Sequence, residues 1–290
     1  MTRRSDFRKA LADVLRLAAA NEQRGVLALQ AAIRELRAQL ADRITRGDIN
    51  AATISRLLVD VEALIEQTGA QMAAIADQTI RQAGQYGADS VLEPLLAINA
   101  PLATTSQLQR LAPLVGHTVD LIVGGLTADM RSAMRRALRI NALGEASPND
   151  AMQAIDRILG QVGRGGRTKT TGVYYDAERI LRTETGRTFN ITAADTLQQA
   201  AQDDPNVKKR WVNPLQPTSR PSHVAAHMET LATPIPANEP FIVDGEALMY
   251  PLDPNGSAKN TINCGCRMLT VYDDLGVVLM PGETRRLTTA

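Results

Sequence analysis

With 290 residues, 44% of them hydrophobic, the chain has ample material for one large or two ordinary cores, which argues against a disordered polymer. A net charge of +1 excludes a global field that would draw the whole chain onto nucleic acid, so any DNA contact has to come from local patches. Two cysteines one residue apart exclude a disulfide scaffold and suit a reducing cytoplasm, where they stay free or bind a metal.

The N-terminus is basic (Arg3, Arg4, Arg8, Lys9), but Asp13 and Arg16 interrupt the apolar stretch that a signal peptide needs. No run approaches the roughly 20 apolar residues of a membrane span, so no membrane partner is expected. Aromatic residues divide unevenly: Phe7 and Tyr86 are the only two before residue 170, and seven follow it. Four prolines precede residue 150 and ten follow residue 200. The expected fold class is therefore α+β: a mostly helical N-terminal part, then a small α+β C-terminal domain.

Residues 5–46 carry Val26, Leu29, Ile33, Leu36, Leu40 and Ile44 at steps of three and four, one stripe of an amphipathic helix that Gly47-Asp48 ends. A second stripe runs through Ile54, Leu57, Val61, Leu64, Thr68, Met72 and Ile75, with Asp48 or Asn50 as its start signal. Neither helix can bury its stripe alone, so an antiparallel pair or a bundle with later helices is expected. Gly84 to Gly87 breaks the pattern, and Pro94, Pro101 and Pro113 hold the next segment to short helices or turns. A longer helix follows from about Thr118 to Leu143, interrupted or bent near Gly124-Gly125. Gly144-Glu145-Ala146-Ser147-Pro148 reads as a stop and restart, with Ser147 as N-cap and Pro148 in the first turn of a helix that ends near Gly160.

The stretch from Gly160 to Gly172, GQVGRGGRTKTTG, is Gly-rich and basic, which suggests a flexible link. It is not a phosphate-binding P-loop, because Thr168 stands before Lys169 where glycine is required. The division expected is 1–160 for the helical region, 161–172 for the link and 173–290 for the C-terminal domain. Another helix runs from Tyr174 to about Ala201. A short helix near 221–230 follows, and Asp244-Gly245 between two apolar runs predicts a β-hairpin. Strands near 267–272 and 276–280 would complete a small sheet.

Most of the distinctive chemistry falls between Trp211 and Tyr272. His223 and His227 are four apart, on one face if Pro221 opens a helix. Cys264 and Cys266 flank Gly265, whose freedom to take positive φ could turn both thiols toward one point. Together they are four ligands suited to a tetrahedral zinc ion; the plainer reading is two small buried thiols and a hydrogen-bonded histidine. Metal analysis separates the two.

Arg131, Arg135 and Arg139, with Arg136 adjacent, form a basic stripe; Arg164, Arg167 and Lys169 form a second patch, and Lys208, Lys209 and Arg210 a third. Each could meet DNA phosphates or an acidic partner surface, or simply be a solvated face. Arg182 and Glu184 lie at ion-pair spacing from Glu178 and Arg187 on a helix. An arginine and a glutamate also serve ADP-ribosyl transfer, but the sequence has no Glu-x-Glu and no Ser-Thr-Ser. His117 lies in a Gly116-flanked turn with no recognisable nucleophile nearby in the sequence and reads as structural.

Three blocks carry a family resemblance. Lys209-Arg210-Trp211, the Arg-x-x-His of Arg220 to His223, and Asn263-Cys264-Gly265-Cys266-Arg267 form the first. The helix around Arg182-Thr183-Glu184 with the later Asn190 is the second, and Leu143 to Pro148 a weaker third. In this order, over about residues 125 to 275, the chain resembles the phage Mu F-like family of minor head, or head morphogenesis, proteins of tailed phages. The resemblance implies a role in procapsid assembly and a place in the virion head, with portal, capsid or scaffold proteins as partners. It also implies few copies per particle and, for some members, an effect on DNA entry or exit, with packaged DNA as a further contact. On this reading the protein binds and does not catalyse, and Arg182, Glu184, Asn190, Trp211 and Arg220 are structural motif residues. An enzyme carried with the head, ADP-ribosyltransferase-like or a nuclease effector, is the alternative.

Overall fold

The computed structural model describes residues 2–46, 53–102, 111–143, 147–163, 168–276, 278–280 and 283. The fold class is α+β, with long helices dominating the N-terminal part and a few antiparallel strands near the C-terminus. The elements run α1 (Arg3–Arg46), α2 (Ile54–Leu96), α3 (Leu111–Asp120), a π-helical turn (Leu121–Thr127), α4 (Ala128–Leu143), α5 (Pro148–Leu159) and α6 (Gly172–Asp203). Then come β1 (Val207–Val212), α7 (Pro221–Ala232), β2 (Ile235–Pro236), β3 (Phe241–Val243), β4 (Glu246–Leu248), α8 (Ala258–Thr261) and β5 (Arg267–Tyr272).

Compact units do not follow the linear division into 1–160 and 173–290. One unit comprises Met1–Glu22, Thr79–Leu114 and Thr183–Ala290, and the other Gln23–Gln78 and Val115–Arg182. The reason is helix length: α1, α2 and α6 each run from one unit into the other. Thr171 N–H donates to Gln161 O and Gly163 N–H to Thr170 Oγ1, so the described ends of the expected link are tied to each other. Residues 164–167 lie outside the described residues, and with them Arg164 and Arg167 of the second basic patch.

The second unit is a helical bundle. All six stripe residues of α1, from Val26 to Ile44, are buried in its core with Leu57, Val61 and Met72 of α2. Ile122, Leu126, Met130, Met134 and Leu138 join them, as do Ile155 and Leu159 of α5 and Leu181 of α6. Each fully buried Leu or Ile contributes about 1.5 to 3 kcal/mol relative to exposure, which secures the register of helices whose outer faces are charged. α5 begins as expected: Ser147 Oγ accepts from Asp150 N–H, Asp150 Oδ2 accepts from Ser147 N–H, and Pro148 occupies the first turn. Gly160 ends it with φ 76°.

Two helix expectations are corrected. α2 does not break at Gly84 to Gly87 or before Pro94 but continues to Leu96. A Cβ at Gly87 would collide with Thr192 Oγ1 and the backbone of Phe189, so this glycine permits a close helix crossing instead of ending a helix. The helix expected from Thr118 starts at Leu111, and Gly124-Gly125 lies in the π-helical turn, where Thr127 Oγ1 donates to Ile122 O. By length and composition Leu111–Ile140 could cross a membrane, against the expectation from residue runs: its most apolar window of 18 residues has mean hydropathy 1.4 and is 28% buried. Apolar residues on two sides of this helix, Ile122 buried and Val123 exposed, lift the average without an unbroken apolar run.

The first unit packs helix segments against a sheet of order β2-β1-β5, antiparallel throughout. Phe7 and Leu11 of α1, Val91 and Leu95 of α2, and Phe189 and Leu197 of α6 share its core with Trp211, Met268 and Leu269. The hairpin β3–β4 turns at Asp244 (φ 51°) and Gly245 (φ 78°), the two positive φ values of a type I′ turn. The strand expected at 276–280 is absent among the described residues. Asp273–Leu275 forms a 3₁₀ turn, and Val278 is held instead by Arg210, whose Nη2 donates to its carbonyl.

Candidate metal centre

α7 opens at Pro221, whose fixed φ suits the first helical position and whose missing N–H costs no hydrogen bond there. This places His223 in the first turn, 1% exposed, with its ring edge-on to Trp211 at a centroid distance of 5.4 Å. The partner loop runs from α8 to β5. Its sharp turn is made at Asn263 (φ 56°), so Gly265, which carries no positive φ, is not the residue that turns the thiols. Cys264 and Cys266 are both buried and free.

His223 Nδ1 lies 3.4 Å from Cys264 Sγ and 3.5 Å from Cys266 Sγ. The three ligand atoms all lie within 4.8 Å of one another, and the cluster could hold a metal ion. A tetrahedral ion at Zn–S of about 2.3 Å and Zn–N of about 2.0 Å keeps its ligand atoms roughly 3.5 to 4 Å apart, so the donor set fits. The tautomer fits too. Asn260 Nδ2 donates to Val243 O, which leaves its Oδ1 to accept from His223 Nε2–H at 3.2 Å and turns the Nδ1 lone pair to the sulfurs.

The thiols form a coupled pair. Cys264 is held well below the usual thiol range, chiefly because Cys266 donates its proton to it. Cys266 is pushed up by that same shared proton and by burial. Asn213 Nδ2 also donates to Cys266 Sγ at 3.3 Å. One sulfur is thus readily a thiolate, and a divalent cation would displace the proton of the other. A Cys–His–Asn row also resembles the arrangement of a thiol nucleophile, but such a nucleophile needs one sulfur against the imidazole, and here two stand at nearly equal distance.

His227 does not join this group. Its Nδ1 accepts from Asn213 N–H at 3.3 Å, and its Nε2 faces Glu283 Oε1 at 3.7 Å, too far for a hydrogen bond. Burial lowers its pKa, so the ring is neutral. The helical spacing does put both rings on one face, but they serve different neighbours one turn apart.

Other motif residues hold the loop. Asn190 of α6 donates from Nδ2 to Cys266 O and accepts at Oδ1 from Met268 N–H. Arg220 Nη2 donates to Ile262 O at 2.6 Å. Glu184 is buried and accepts from Arg187 Nη1 at 2.5 and 2.7 Å, while Arg182 pairs with Glu178.

The third basic patch is corrected: Lys209 and Arg210 are each 1% exposed. Lys209 Nζ donates to Met249 O and sits 4.8 Å over the ring of Phe241, and burial brings its pKa down to about 8. Arg210 makes a buried two-point pair with Glu283 at 2.6 and 2.9 Å. Only Lys208 reaches outward, to Asp273. β1 is central in its sheet, so a polar run in sequence became a buried strand. In the first stripe, Arg131 pairs with Glu66 and Arg135 with Glu62, stitching α4 to α2, whereas Arg136 and Arg139 are exposed. His117 is exposed on α3.

Asn213, Asn260 and Glu283, which orient these groups, were not picked out from the sequence. Neither spacing nor composition marks them; only the loop's closure brings them to the site.

No family model matches the chain, and no solved structure matches it. A curated protein of Enterococcus faecalis named NAD(+)--arginine ADP-ribosyltransferase EFV is 25% identical over 178 residues, 59% of this chain and 36% of that protein. The chain therefore spans about a third of that relative's length.

Proposed function

We propose that this chain is a minor head protein of a tailed phage, of the Mu F-like kind, which acts by docking during procapsid assembly and stays in the virion head. The observation that carries the proposal is convergence. Asn190, Trp211, Arg220, His223 and Cys264 to Arg267, the residues of the family resemblance, come from separate stretches and all support one buried knuckle. A zinc ion held by His223, Cys264 and Cys266 would lock that knuckle as a rigid docking module; two sulfurs and an imidazole suit zinc. Portal, capsid or scaffold proteins are the partners, and the exposed Arg136 and Arg139 offer packaged DNA a local contact. The test is co-purification with the portal and major capsid proteins of the same phage, together with particle assembly in a deletion strain. Normal particles without the gene product would overturn the proposal.

A second reading, an arginine ADP-ribosyltransferase, takes its support from the name of the Enterococcus relative. Burial of Glu184 against Arg187 gives that residue no open approach to a nicotinamide cofactor, which favours docking. NAD turnover by the purified chain that is lost in Glu184→Gln would reverse the preference.

A further inference from the structure

A cleft of about 330 Å³ opens beside the knuckle, with His223, Cys264 and Cys266 in its wall and Gln216, Ser219 and Arg220 among the residues facing them. We propose that the metal held by the three ligands keeps its fourth position open to this cleft and takes an exchangeable oxygen ligand there: water by default, a small carboxylate or other anion in preference. The proposal rests on the zinc reading above and says what kind of centre it is.

Four observations carry it. His227, the side chain that would complete the tetrahedron, is engaged by Asn213 and turned to Glu283. Asn213, also at the cleft, donates from Nδ2 to Cys266 Sγ and accepts at Oδ1 from Leu215 N–H, so it is not aimed at the ion. Among the described residues lining the cleft, Arg220 is the one cation and there is no carboxylate to close the site. Two thiolates cancel the charge of a divalent ion, which leaves Arg220 to set the field and favours an anion. Finally, the lips are held in unusual backbone: Leu215, between the lining residues Pro214 and Gln216, has φ 51°, and Asn263 has φ 56°. A leucine in that region is strained, and the loop's other contacts sustain it. Closed zinc sites use four protein ligands; three with an open position mark a centre that polarises a bound oxygen.

The full chain loaded with Co²⁺ in place of zinc tests this. Thiolate-to-cobalt charge-transfer bands report the two sulfurs, and the d–d bands report the fourth ligand. Titration with azide or acetate should shift the d–d bands saturably and leave the charge-transfer bands in place. Arg220→Gln should weaken that titration about tenfold, the effect of one nearby unit charge. His227→Ala should leave both spectrum and titration unchanged. Cobalt bands that ignore both anions, or that change in His227→Ala, would mean a closed centre and overturn the proposal while leaving the metal intact. Failure to bind cobalt at all would remove the metal reading itself. The wild-type titration needs no variant, so it decides the matter even if Arg220→Gln loosens the Ile262 contact.

Discussion

Asn190 and Cys266, 76 residues apart, are joined directly: the Asn190 amide donates to the Cys266 carbonyl and accepts from the N–H of Met268 two residues on. β5 is an edge strand, and a helix side chain here stands in for a missing neighbouring strand. Asn190→Ala leaves the buried Met268 N–H without its partner, while the Cys266 C=O keeps its bond from Arg267 Nη1, at a cost of about 1 to 3 kcal/mol. Chemical denaturation should register that loss, and metal stoichiometry should fall with it, because Cys266 loses its tie to α6.

The two histidines of α7 should separate cleanly. His223→Ala should abolish stoichiometric zinc in elemental analysis, and His227→Ala should retain it while losing about 1 to 3 kcal/mol, the cost of orphaning the Asn213 N–H. Chelation of the wild-type chain should lower its stability by about 3 kcal/mol at a free metal concentration a hundredfold above Kd. Zinc content lost equally in both variants would contradict the three-ligand cluster.

Lys209 gives the chain a pH signature. Its folded pKa is about 8 against 10.5 unfolded, since burial penalises the ammonium. Between those values the unfolded state binds more protons, so stability rises with pH; its contribution is complete above 10.5 and lost as pH falls to about 8. The full difference is about 3 kcal/mol. Denaturation midpoints across this range should climb in the wild type more steeply than in Lys209→Met, and parallel curves would refute the assignment.

Two glycines of α2 should respond with opposite severity. Ala at position 87 meets the backbone of Phe189, which cannot yield locally, and should cost about 2 to 4 kcal/mol despite alanine's better helix propensity. Ala at position 84 meets the end of the flexible Leu111 side chain at 2.7 Å and should stay within about 1 kcal/mol of wild type. Thermal melts of the two variants provide the comparison.

Local rules in the sequence foretold the parts that depend on local physics. The α1 stripe, the Ser147 cap, the Asp244-Gly245 hairpin and the Pro221 start of α7 each follow from neighbours within a few residues. Two cysteines and His223 were legible as a cluster that could hold a metal ion because their chemistry narrows the choice. His227 was not separable from His223 by spacing, since what distinguishes them is Asn213 and Asn260, residues brought in by loops. Likewise the Lys208-Lys209-Arg210 run has the composition of a surface and the position of a core. Only pairing with β2 and β5 on both sides, and Glu283 from far down the chain, decides that.

The interleaving of the two units bears on synthesis. Phe7 and Leu11 are made well before the residues beyond Thr183 that close the core they enter. A nascent chain therefore carries these apolar side chains unmatched until their partners are made, and the contacts that close the core span long stretches of sequence. Such topology slows folding and exposes apolar surface meanwhile.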